Sequence, residues 1–162
     1  MTQETTLTVL KEIRDILKIR MPVGAAKEIS KKSGSKFLGL LQDSNRFEKL
    51  PDGWIKDRLL GIDWAPKSLE KKLKWKEAQE YAAKFERQPE VYELETLLDR
   101  SKYNPAIIDA AKQLELESNL YWSGTTYADS TDYAWFVYFN DGDVYYVYKV
   151  SEYYVRPVRS SQ

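Results

Sequence analysis

The 162-residue chain contains no cysteine and no histidine. Without cysteine there are no disulfides, no thiolate zinc sites and no thiol nucleophiles. Without histidine the commonest general base and the commonest transition-metal ligand are missing. Catalysis through carboxylates, lysine or tyrosine stays open to such a chain, but it reads as a non-enzyme with no cofactor and no metal. No apolar run approaches the ~20 residues of a membrane span, so no membrane insertion is expected. The first twenty residues are charged and amphipathic and lack the apolar stretch of a secretory signal. Synthesis in a cytoplasm is expected, with display on a virion or surface left open. Basic and acidic residues both number 25, for a formal net charge of zero. Nothing global therefore draws the chain to nucleic acid or to an anionic membrane.

What is present reads as two parts. Residues 1–50 are expected to form an N-terminal helical segment. Leu7, Leu10, Ile13 and Leu17 make one stripe over 4–20, and Pro22 ends that helix. A second helix is expected over 23–32. This part carries ten Lys/Arg against six Asp/Glu. Packing on its own domain or a homo-oligomer contact is favoured over a basic arm. From residue 51 to 162 the character changes. Trp75, Ala78, Ala82 and Phe85 share a helical stripe. A second helix is expected over 91–98, with Val91, Leu94 and Leu98 inward and Glu90, Glu93 and Glu95 outward. A third is expected over 106–114. Beyond Ser118, Trp135, Val137 and Phe139 alternate with Phe136, Tyr138 and Asn140, which predicts a strand. Asn140-Asp141-Gly142-Asp143 is a hairpin turn, 144–150 the returning strand, and 155–158 a terminal strand with Pro157 at a sheet edge.

Nine of the twelve tyrosines lie between Tyr121 and Tyr154. From Ser118 to Tyr148 there is no lysine or arginine, while Asp129, Asp132, Asp141 and Asp143 are present. Tyrosine presents a large, stiff, amphipathic face at low entropy cost, and Asp, Asn and Ser supply adaptable hydrogen bonds. Strand propensity alone accounts for some of the tyrosines but for none of the aspartates among them. The segment therefore reads as a binding surface.

Its motifs resemble the Lcl C-terminal-like family. The resemblance runs through Asp57-Arg58-Leu59-Leu60-Gly61-Ile62-Asp63-Trp64, Trp75-Lys76-Glu77-Ala78, Arg87-Gln88-Pro89-Glu90-Val91-Tyr92-Glu93-Leu94 and Tyr121-Trp122-Ser123. It continues through Ala134-Trp135-Phe136-Val137-Tyr138-Phe139-Asn140-Asp141-Gly142 and closes on Tyr154-Val155-Arg156-Pro157-Val158-Arg159. Six pieces in order cover about 54–159. Glu86 and Gln88 depart from it, standing where the family has Trp and Leu. The resemblance implies an α+β, C-type-lectin-like fold: a small, mainly antiparallel sheet with flanking helices. Formylglycine-generating enzymes share that fold class but work through cysteines, which this chain lacks.

A subset of the family is closer still, the variable proteins of diversity-generating retroelements. In these, mutation at template adenines turns asparagine codons into Tyr, Asp, Ser, Val and others. The frame from Trp135 to Lys149 resembles theirs. Trp135, Val137, Phe139, Gly142, Val144 and Lys149 hold scaffold slots. Tyr138, Asn140, Asp141, Asp143, Tyr145, Tyr146, Val147 and Tyr148 hold the slots that vary. The variable region is expected over about 121–154. Its ligand-binding residues are expected to be Tyr127, Asp129, Ser130, Asp132, Tyr133, Tyr138, Asn140, Asp141, Asp143, Tyr145, Tyr146 and Tyr148. Trp122, Trp135, Val137, Phe139, Gly142, Val155 and Val158 are expected to form the frame.

The implied function is display of a diversified surface toward a protein or cell-surface ligand, in a virus, phage or cell. An acidic, aromatic surface favours a neutral or basic target. The alternative is a structural, assembly or adhesin-type protein with an invariant C-type-lectin-like domain. Gln88-Pro89-Glu90 and Asn140-Asp141 are similar to the calcium-sugar motifs of true C-type lectins. They lie about fifty residues apart, and calcium needs several oxygens converging on one point.

Overall fold

The computed structural model describes residues 39–162. The helices expected over 4–20 and 23–32, and any oligomer contact through them, lie outside the described residues. In chain order the elements are β1 (Phe47–Lys49), β2 (Ile55–Asp57), β3 (Ile62–Trp64), β4 (Leu73–Lys74), α1 (Trp75–Ala82), α2 (Val91–Glu95) and a 3-10 helix (Asp109–Leu114). Then follow β5 (Leu120–Thr126), β6 (Tyr133–Tyr138), β7 (Asp143–Tyr148), β8 (Glu152–Tyr153) and β9 (Val158–Ser160). They form three antiparallel sheets, ordered β1-β2-β3-β9, β4-β8 and β5-β6-β7. The class is α+β, built mostly of small antiparallel sheets with few helices.

The turn between β2 and β3 explains the Asp57-to-Trp64 motif. Asp57 is fully buried, and its Oδ1 accepts the backbone N–H groups of Leu59 (3.0 Å) and Leu60 (3.3 Å). Its Oδ2 accepts the Trp64 indole N–H at 3.3 Å. Gly61, at φ +67°, closes the turn by donating to the Asp57 carbonyl. The charge is balanced by Arg46, which donates from Nε and Nη2 to the two carboxylate oxygens at 2.9 and 2.7 Å. The same guanidinium bonds the carbonyl and hydroxyl of Thr96. Arg46 and β1 precede residue 51, so this side of the sheet is built from the N-terminal side of the expected boundary.

Two apolar clusters hold the sheets together. One joins Trp64, Leu94, Leu97, Ile108, Leu114, Tyr121, Val137, Phe139 and Val158. The other joins Trp75, Ala78 and Ala82 of α1 to Trp122, Ala134 and Val155. The β5-β6-β7 sheet lies between them, because successive strand residues point to opposite faces. Tyr121 and Val137 reach the first cluster, and Trp122, Ala134 and Phe136 reach the second.

Several sequence expectations need correction. α1 ends at Ala82, where Phe85 N–H bonds back only three residues to the Ala82 carbonyl. Phe85 therefore leaves the buried stripe. It is 41% exposed and packs beside Trp54 and Tyr81. α2 stops at Glu95 rather than residue 98, because Leu98 bridges to Ile107. Glu93 points inward rather than to solvent. Its carboxylate takes the Glu90 N–H at 2.7 Å and both Nη atoms of Arg87 at 2.7 and 2.8 Å. The stretch from residue 106 to 108 is extended, and only Asp109–Leu114 is helical, as a 3-10 turn. β7 ends at Tyr148 because the Lys149 carbonyl accepts the Trp75 N–H. The terminal strand is Val158–Ser160, an edge strand of its sheet, with Pro157 just before it.

Both terminal arginines close the domain. Arg156 is buried and donates to the carbonyls of Ala65 (2.6 Å) and Pro66 (3.0 Å). Burial pushes its guanidinium down to about 10. Arg159 bonds Asp63 and Asp52 and lies over the Trp54 ring.

Candidate functional site

The β5-β6-β7 sheet presents the tyrosine-rich segment. On one face, cross-strand pairs run Tyr133–Tyr148, Trp135–Tyr146 and Val137–Val144. Val137 is fully buried in the first cluster, and Val144 packs against it. Toward the other end the face opens to solvent, and the rings replace the aliphatic side chains.

A bulge in β5 brings in a further ring. Phe136 and Ala134 are two positions apart in β6, while their β5 partners Trp122 and Thr126 are four apart. The extra residues turn outward to meet the start of α2. Gly124 N–H bonds the Pro89 carbonyl at 2.8 Å, and the Thr125 hydroxyl donates to Glu90 at 2.5 Å. A Cβ on Gly124 would lie 3.4 Å from Gln88 Cβ. Bulges re-aim side chains, and this one delivers Tyr127 to the aromatic face. Its N–H then bonds the Tyr133 carbonyl at 3.0 Å.

The result is a contiguous aromatic surface. Tyr127 stacks on Tyr146 with centroids 3.8 Å apart, and Tyr133 lies 4.1 Å from Tyr148. Trp135 meets Tyr127 and Tyr146 edge-on, at 5.8 and 5.5 Å. Tyr145 wraps the open edge of β7 and stacks on Tyr146 at 4.7 Å. Tyr145 is 59% exposed and Tyr148 54%. The Tyr148 hydroxyl, foremost, pushes the Tyr133 phenol up to about 12; desolvation and the charge of Asp132 act the same way.

The loop from Tyr127 to Tyr133 rims this surface. Asp129 accepts the Tyr127 hydroxyl at 3.1 Å. The loop is tied by Ser130 N–H to the Tyr127 carbonyl and by Tyr133 N–H to the Ser130 carbonyl. Lys149 N–H holds the Asp132 carbonyl at 2.9 Å. The Lys149 side chain runs along the opposite face. Its ammonium lies 3.8 Å above the Trp75 ring and bonds Thr126 at 3.0 Å. Burial there lowers its pKa.

The twelve residues expected to bind ligand thus divide. Tyr127, Asp129, Ser130, Asp132, Tyr133, Tyr146 and Tyr148 gather at one end, with Tyr145 alongside. Tyr138, Asn140, Asp141 and Asp143 sit at the hairpin end, about 17 Å from Tyr133 and Tyr148 by the five rises of a six-residue strand. There the Asn140 side chain bonds Ser118 at 3.1 Å, and Asp141 caps the turn by accepting the Asp143 N–H. Trp135, expected in the frame, is half-exposed and belongs to the aromatic surface. The alternation along β6 contained that signal, since Trp135 shares a face with Tyr133. Glu90 lies beside Thr125 while Asn140 lies beside Ser118, so the two lectin-like motif pieces occupy opposite ends of the sheet. Among the described residues, no group of three or more acidic side chains is placed to hold a metal ion, and no helix is long and apolar enough to cross a membrane.

These features define an α+β domain with an aromatic, acid-rimmed surface at one end of its three-stranded sheet. The family model of the Lcl C-terminal domain matches residues 53–159, and the chain belongs to that family. No curated protein matches it.

Proposed function

We propose that the protein is a ligand-binding display protein on a C-type-lectin-like scaffold, of the kind diversified by a retroelement. It acts by binding and carries out no catalysis. The ligand is a protein or cell-surface molecule, met by the protein on a virion or another surface.

One observation carries this reading. None of the eight slots expected to vary is fully buried, whereas Val137, Phe139 and Gly142, interleaved among them, are buried. Substitution at the slots is thereby separated from the core over a single 15-residue frame. Val147 is the slot nearest an exception, since it packs on the second cluster.

The DNA beside the gene tests the reading. A near-identical repeat is expected, with adenines in the codons matching residues 138, 140, 141, 143 and 145–148, next to a reverse transcriptase gene. Absence of the repeat leaves the alternative, an invariant structural or adhesin-type domain. Separately, alanine at Tyr127, Tyr133 and Tyr148 together should abolish binding while the fold persists. Loss of the fold would make those rings core.

A further inference from the structure

The aromatic end of the sheet has a consistent electrostatic sign. Ring faces carry partial negative charge. Asp129 and Asp132 stand exposed at the rim, and no lysine or arginine occurs between Ser118 and Tyr148. The next cation along the chain, Lys149, is held on the opposite face by Trp75 and Thr126. Elsewhere the chain covers its own rings with cations: Arg46 lies over Phe47, Lys72 over Tyr154, Lys84 over Tyr81 and Arg159 over Trp54. Among the described residues none lies over Tyr127, Tyr133, Tyr146 or Tyr148.

We propose that this surface seats a cationic side chain of a protein partner, an arginine above all, against Tyr133 and Tyr148 with Asp129 and Asp132 closing on its charge. The proposal rests on the reading of this surface as a ligand-binding one and adds the chemistry of what it takes. Arginine fits better than lysine because its guanidinium is planar, weakly hydrated and stacks on aromatic faces. Its N–H groups also reach the phenol oxygens and the rim carboxylates. An anionic ligand would meet two exposed rim aspartates, of which Asp132 is the one that feels a cation, Lys149.

The test is a selection of binders from a random-peptide display library against the full chain, followed by affinity measurement on the winners. Binders enriched in arginine are expected. Arginine to alanine in the binder should weaken binding at least tenfold. Tyr148→Ala should weaken it about two- to fivefold, the range for one exposed cation–π contact. Asp129→Asn with Asp132→Asn, a pair of exposed changes that leaves the fold intact, should weaken it further and flatten its salt dependence. Binders that need Tyr133 and Tyr148 but show no arginine or lysine enrichment overturn this proposal and leave the ligand-binding reading standing. Binders that ignore both tyrosines, or no binders at all, overturn both.

Discussion

Tyr127 and Tyr146 lie face to face, 3.8 Å apart and 12° from parallel, although one follows the β5 bulge and the other sits mid-strand in β7. Their stacking ties the rim loop to the sheet edge. A double-mutant cycle with Tyr127→Ala and Tyr146→Ala should give a coupling of about 0.5–1.5 kcal/mol in chemical denaturation. A coupling near zero would mean the loop is held by its backbone bonds alone.

Arg46 and Asp57 are both buried and mutually bonded, yet Arg46 lies outside the residues the family model spans. Arg46→Ala strands the Asp57 carboxylate and should cost about 3–5 kcal/mol. A fragment of residues 53–159 loses both Arg46 and β1, so it should give no cooperative thermal transition.

Both polar atoms of the Gln88 amide are buried without a partner among the described residues. An unmet amide costs about 1–3 kcal/mol, and leucine fills a similar volume without that cost. Gln88→Leu, which restores the residue of the family motif, should raise the melting temperature. A drop would show that the amide is satisfied in solution.

Gly142 holds φ +86° in the β6–β7 hairpin, and a Cβ there would lie 2.9 Å from Arg100 Cγ. Gly142→Ala should destabilise by about 1–3 kcal/mol through backbone strain and this collision. An unchanged melting temperature would mean that the hairpin relaxes freely.

Burial raises the Glu95 carboxyl above its ordinary 4.5, with Arg100 only partly opposing the shift. The folded protein therefore holds this proton more tightly than the unfolded chain. Glu95 favours the fold below about pH 4.5, and that contribution is lost as pH rises through the raised value. Glu95→Gln should flatten the stability profile over that window, measured by denaturant midpoints. An unaltered profile would place the titration elsewhere.

The β6–β7 hairpin was readable because alternation and Asn-Asp-Gly-Asp are local signals. So was α1 through its stripe of Trp75, Ala78 and Ala82. The helix wheel misplaced Glu93, whose partner Arg87 sits before the helix, where a wheel does not look. Trp135 holds a scaffold slot in the resembled motif, while its strand parity groups it with Tyr133. The gathering of Tyr127 with Tyr146 depends on a bulge that matches no simple period. The partnership of Arg46 and Asp57 depends on a strand pairing across eleven residues that charge counting does not reveal. The division of the twelve expected ligand contacts between two ends of the sheet follows from strand length, once the register is known.

Among the described residues, β7 is the last strand of its sheet. Tyr133 uses its own N–H and C=O on Ser130 and Tyr127, so Ala134–Val147 and Phe136–Tyr145 carry the ladder bonds, and Val144 and Tyr146 turn theirs outward. Between Asp143 and Lys149 no charge, proline or bulge interrupts that edge. Every replacement at 145–148 therefore also alters a strand that a second chain can pair with. Lysine there would discourage self-association, and valine or isoleucine would invite it. The range of side chains this surface tolerates is bounded by colloidal behaviour as well as by fit to a ligand.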